Sequence, residues 1–164
     1  MAMKMRRASK ALAAVVFTAA LYPTHAAARI QKDGLCAPLR AFVGSVKKGE
    51  TRKIEFHTSW GQGFKGSPTN TFAEKRCIDN GYAPAKAACD RLMADGQIEF
   101  SGNDAVRAIA CLSPDTHFAD SLQLDRIDVQ FSYGTEQRGS IVTVIFTQDS
   151  ELGGMVLKIS ADGY

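Results

Sequence analysis

The sequence predicts an α+β domain: an antiparallel sheet of about four strands with two to three disulfide-tied helices packed on one face. Three observations carry that expectation. Segments with apolar residues at helical spacing gather before the Ser113-Pro114 break. Alternating, strand-like segments dominate after it, with one earlier at residues 51–60. Four cysteines lie in or beside the helical segments, three of them within residues 77–111.

The first 28 residues have the parts of a secretory signal: a basic start (Lys4, Arg6, Arg7, Lys10), an apolar run over 11–21, and small residues after Pro23. Cleavage after Ala26 or Ala28 suits a signal peptidase. The apolar run falls short of the roughly 20 residues that span a bilayer. Arg6-Arg7 is not followed by the apolar pair of a twin-arginine signal, and no cysteine stands at the cleavage point for lipid attachment. The expected division is a cleaved signal over 1–28, a loose tail over 29–34 and a single domain over 35–164, with no membrane insertion after cleavage.

Cleavage alters the charge. The whole chain carries 20 basic and 17 acidic side chains and a net charge of +3. The signal takes four basic residues and no acid, leaving 16 against 17 and a net charge of −1. With no basic cluster longer than the pairs Lys47-Lys48 and Arg52-Lys53, the electrostatic basis for binding nucleic acid or an anionic membrane is missing.

In chain order, Pro38 opens a helix over 36–46 with Leu39, Phe42, Val43 and Val46 on one face, and Lys47-Lys48-Gly49 ends it. Ser45 and Lys48 form an S-x-x-K string, but a serine at a helix end, with no S-D-N or K-T-G element downstream, lacks the acylase arrangement. Residues 51–60 alternate as a strand: Ile54, Phe56, Thr58 and Trp60 on one face, Lys53, Glu55, His57 and Ser59 on a solvated one. The string G-x-G-x-x-G comes next, from Gly61 to Gly66. A dinucleotide site needs a helix directly after it; Ser67-Pro68 predicts a loop instead.

Residues 69–76 read as a short helical turn, and Asp79-Asn80-Gly81 as a tight turn. Pro84 opens a helix over 84–94 with Ala85, Ala88, Cys89 and Leu92 inward. Residues 97–100 read as a short extended piece. Ser101 and Asp104 form a capping box for a third helix striped by Ala105, Ala108, Ile109 and Leu112. After a polar connection, three strands are expected. Residues 122–133 slip phase at Asp125-Arg126, 141–147 are apolar on both faces, and 155–160 alternate. The short links between them imply a meander.

All four cysteines survive cleavage in a chain addressed to an oxidising compartment, periplasmic or secreted, which implies two disulfides. Spacings of 41, 12 and 22 residues lack the close pairs of a four-thiolate zinc site. The expected pairs are Cys77 with Cys89 and Cys36 with Cys111, each stabilising the fold by roughly 2 to 4 kcal/mol.

No catalytic signature stands out and no cofactor is implied. The class that fits is a small exported binding protein, such as an inhibitor or an immunity protein, with a protein partner. Its contact candidates are Trp60, Gln62, Phe64 and Lys65 of the glycine loop, and Glu136 and Arg138 of a late hairpin. The alternative is a small extracytoplasmic hydrolase using His57 beside Glu55, or His117. Asp115, His117 and Asp120 would ligate a metal only if their loop folded round one.

Overall fold

The computed structural model describes residues 33–68, 71–119 and 122–164. The segment expected to be a cleaved signal lies outside them, as does Asp120. Among the described residues three helices and five strands succeed one another: α1 (Cys36–Ser45), β1 (Thr51–Trp60), β2 (Ala73–Ile78), α2 (Ala83–Asp95), α3 (Gly102–Leu112), β3 (Ile127–Gly134), β4 (Gly139–Gln148) and β5 (Met155–Gly163). The fold is α+β.

The strands form one sheet in the order β2-β1-β5-β4-β3, antiparallel throughout. The late three make the expected meander, and β1 joins it along β5. The alternation in β1, β4 and β5 sets which face is covered. Ile54, Phe56, Val142, Val144, Phe146, Leu157, Ile159 and Ala161 point to the helices and are buried. From the helical side come Leu39, Phe42, Val43, Ala85, Ala88, Leu92, Ala105, Ala108 and Ile109. Each large apolar side chain buried in this layer contributes about 1.5–3 kcal/mol. Fully buried Ala85 and Ala88 let α2 lie close to α1.

Both disulfides form with the expected pairing. Cys36 in α1 joins Cys111 in α3 with Cα atoms 4.8 Å apart, and Cys77 in β2 joins Cys89 in α2 at 5.5 Å. No cysteine is free, so a four-thiolate metal site is excluded. Two disulfides fit an oxidising, extracytoplasmic setting. No helix among the described residues is long and apolar enough to cross a membrane.

Several local expectations are corrected. Residues 73–76, read within a helical turn, belong to the edge strand β2, which pairs with β1 from Glu55↔Ile78 to Trp60↔Ala73 and is held to α2 through Cys77. Residues 97–100 form a bend and turn, not a strand. The Ser101 side chain makes no cap. Its supposed partner Asp104 is fully buried and instead accepts the Gln97 amide at 2.7 Å and Arg107 Nη1 at 2.8 Å. Asp33, placed in the loose tail, is pinned: Arg107 grips its carboxylate with two bonds of 2.7 and 2.8 Å, and Asp33 accepts the Leu35 amide at the start of α1.

The helices are short for the sheet they cover. At about 1.5 Å per residue, α2 and α3 run roughly 20 and 16 Å, whereas the ten-residue strands β1 and β4 run about 33 Å. One end of the helix-side face, around Thr58, Trp60 and Met155, therefore lies at the margin of the helical layer, bordered by loops and the first turn of α3.

Candidate functional site

On the face of β1 turned away from the helices stand Lys53, Glu55, His57 and Ser59. The register sets His57 between Arg76 of β2 and Val156 of β5. The expectation of a solvated histidine is overturned, since His57 is only 6% exposed. Two loops from the same end of the sheet enclose it.

The first is the glycine loop. Left-handed backbone at Gly61 and Gly66 (φ 81° and 78°) folds the chain back over the sheet. Phe64 lies edge-on to the His57 ring with centroids 6.5 Å apart, and the Arg76 guanidinium lies 5.1 Å from the Phe64 centroid on the outside. The Phe64 amide donates to Glu74 at 2.8 Å, and the Lys65 amide and ammonium donate to the Leu152 and Ser150 carbonyls at 2.7 and 2.9 Å. These bonds anchor the loop. The next element is the antiparallel strand β2 and not a helix, so the G-x-G-x-x-G string has no nucleotide-binding context.

The second loop is the β4–β5 hairpin, which presents Asp149 to His57. One Asp149 carboxylate oxygen accepts the Glu151 and Leu152 amides at 2.9 and 3.0 Å; the other meets His57 Nδ1 at 2.7 Å. Burial pushes this carboxyl up, but the two amides and His57 outweigh it and hold it below the usual carboxylate range. An ionised Asp149 can only accept, so Nδ1 carries the proton. The other ring nitrogen, Nε2, lies 3.7 Å from Glu55 Oε2 and makes no hydrogen bond among the described residues. Lys53 holds the Glu55 carboxyl below its ordinary value, against its partial burial.

An aspartate-oriented imidazole is half of a general-base apparatus. The other half is not in place, because Ser59 Oγ is buried without a hydrogen bond and Phe64 occupies the approach to the ring. Elsewhere, Ser45 Oγ of the S-x-x-K string donates to the Phe42 carbonyl and bonds Tyr82. His117 is exposed. Among the described residues no group of three His, Cys, Asp or Glu could hold a metal ion.

The contact candidates separate. Gln62 and Lys65 are exposed, whereas Phe64 is 3% exposed and serves as the loop's anchor. Trp60 is 48% exposed and packs edge-on against Phe72, 64% exposed, with ring centroids 4.8 Å apart. Glu136 and Arg138 are exposed in the β3–β4 hairpin beside Tyr164, at the opposite end of the sheet, roughly 30 Å of strand away. One compact patch cannot include both sets.

At the Trp60 end the uncovered helix-side face forms two adjoining grooves. One, of about 370 Å³, is lined by Thr58, Trp60, Ile98, Glu99, Gln148 and Met155 among others. The second, of about 590 Å³, runs between Phe100, Asn103, Leu122 and Asp125 over Phe146 and Met155. Glu99, Ser101 and Met155 belong to both. Sequence reasoning missed Phe72, Phe100 and Leu122; the one available signal was a pair of aromatic residues, Trp60 and Phe72, bracketing the glycine loop.

The chain matches no protein family model, no curated protein and no solved structure.

Proposed function

We propose that the protein is an exported, disulfide-tied binding protein that acts on a protein partner in the periplasm or outside the cell, as an inhibitor or immunity protein does. The observation that carries this is the exposed Trp60–Phe72 pair on a loop that Phe64, Glu74 and Lys65 hold in place. Large aromatics presented on a rigid support are typical interface anchors, because little ordering entropy is lost when they are buried. The nearly neutral mature charge and the lack of an open catalytic cleft at His57 support the same reading.

The test is capture of the partner from the native envelope and culture fluid on the immobilised oxidised protein, in parallel with Trp60→Ala and Phe72→Ala. Recovery of a protein by the wild type and its loss with either variant supports the proposal. Equal recovery by all three, or none by the wild type, overturns it.

The Asp149–His57 bond of 2.7 Å is the specific observation behind a second reading, a small extracytoplasmic hydrolase in which the glycine loop opens over His57. Here the test is replacement of both His57 and His117 by alanine. A biological effect unchanged in that variant removes the hydrolase; loss of that effect with partner capture intact supports it.

A further inference from the structure

We propose that the groove beside Trp60 receives a cationic, partly apolar segment of the partner: an arginine or lysine whose stem lies on the apolar walls and whose charge meets Glu99 and Asp125. This deepens the proposed function and rests on it.

Three observations carry the assignment. The two adjoining grooves are lined by Glu99, Asp125 and Asp149 and by no Lys, Arg or His. Asp149 is already engaged with His57 and two amides. Glu99 and Asp125 are exposed and make no ion pair with any described residue, whereas Asp33, Glu50, Glu55, Asp90, Asp95 and Asp104 are each paired with a cation of the chain. Exposed Asp115, Asp128, Glu136 and Glu151 are likewise without an ion pair among the described residues, but only the groove sets two such carboxylates among exposed apolar side chains in a lining that holds no cation.

Its walls determine what kind of cation suits it. Phe100 is 55% exposed and Leu122 38%, and Trp60 stands at the far side at 48%. A small hydrated cation would leave these surfaces wet. An arginine or lysine covers them with its methylenes and brings its head to the carboxylates, and Trp60 or Phe100 offers a face to the guanidinium. With Phe146 and Met155 as a nearly apolar floor, a flanking leucine-like side chain completes the fit. The segment is therefore one in which basic and apolar residues alternate.

The probe is a set of fluorescein-labelled hexapeptides, (Leu-Arg)3, (Leu-Gln)3 and (Leu-Glu)3, read by anisotropy on the oxidised protein. The expected order is Arg over Gln over Glu, with the arginine peptide favoured over glutamine by about tenfold, ~1.4 kcal/mol. That preference shrinks as salt rises from about 20 to about 300 mM. Glu99→Lys and Asp125→Lys each reduce it several-fold with the far-ultraviolet circular dichroism unchanged. Asp128→Lys, the same charge change on the open face of the sheet, leaves it intact. Equal binding of the three peptides, binding by none, or equal loss with Asp128→Lys overturns the proposal. If Trp60→Ala still abolishes capture of the natural partner in that case, the binding function stands and only the assignment of this groove fails.

Discussion

At the scale of single residues, the buried polar groups are the informative ones. His57 ties three pieces of chain: β1, which carries it, the hairpin that supplies Asp149, and the glycine loop whose Phe64 lies on its ring. Truncating it to alanine removes a hydrogen bond to a charged group and leaves Asp149 buried beside a void. The His57→Ala variant is expected to lose about 2–4 kcal/mol in urea denaturation, with faster amide exchange at Phe64 and Lys65. Nothing local announces this arrangement, because Asp149 lies 92 residues from His57 in the chain. An alternating strand shows only that His57 is off the helix side, and the burial comes from loops that fold over it.

Asp104 supplies a second residue-level prediction. Its burial raises its pKa from 3.8 to about 6, against the opposing effects of the Gln97 amide and Arg107. The folded value exceeds the unfolded one, so between those limits the native state holds more protons and stability rises as pH falls. Asp33, Glu55 and Asp149 are shifted the other way, and their contribution is lost as pH falls through their folded values. Comparing wild type with Asp104→Asn, which keeps an oxygen for the Gln97 amide, cancels those three. The wild type is expected to gain about 2 kcal/mol on the variant between pH 7 and pH 4 in denaturant titrations. A constant difference across that range would contradict the assignment. The capping-box reading of Ser101 and Asp104 failed for the same reason: burial redirected the carboxylate inward to Gln97 and Arg107.

Among the elements, legibility tracked how local the determining interactions are. The helices α1, α2 and α3 and the strands β1, β3 and β5 were readable because each carries its own apolar period, and β4 because its run is apolar on both faces. The edge strand β2 was not. Its Glu74-Lys75-Arg76 run has no apolar alternation, and its conformation is dictated by pairing with β1 and by the Cys77–Cys89 bond to α2. Opening that bond should therefore loosen β2 selectively. With a separation of 12 residues the loss is expected to be about 3 kcal/mol, against about 4.5 kcal/mol for the Cys36–Cys111 bond with its separation of 75. Paired serine variants measured in urea check the ranking. A second element-level constraint is Gly154, which closes the β4–β5 hairpin with φ 78°. A Cβ there would collide with the Thr58 carbonyl and press on Ser59. Gly154→Ala is expected to cost upwards of about 2 kcal/mol and to displace Asp149 from His57, visible as a shifted His57 ring resonance.

For the whole molecule, the mismatch between short helices and long strands explains why the proposed binding surface lies at one end. The covered end carries the disulfides and the core. The uncovered end carries the anchored glycine loop, the Trp60–Phe72 pair and the acidic grooves, while Glu136 and Arg138 stand at the other end. Sequence reasoning reached the glycine loop through its composition, but the grooves arise from tertiary packing that no local pattern encodes. The most direct measurement is hydrogen exchange of the oxidised protein with and without its captured partner. Protection is predicted at Trp60, Phe72 and residues 98–103 and 122–125, with the β3–β4 hairpin unchanged. Protection confined to the hairpin at residues 134–139, or to the open face of the sheet, would contradict the account.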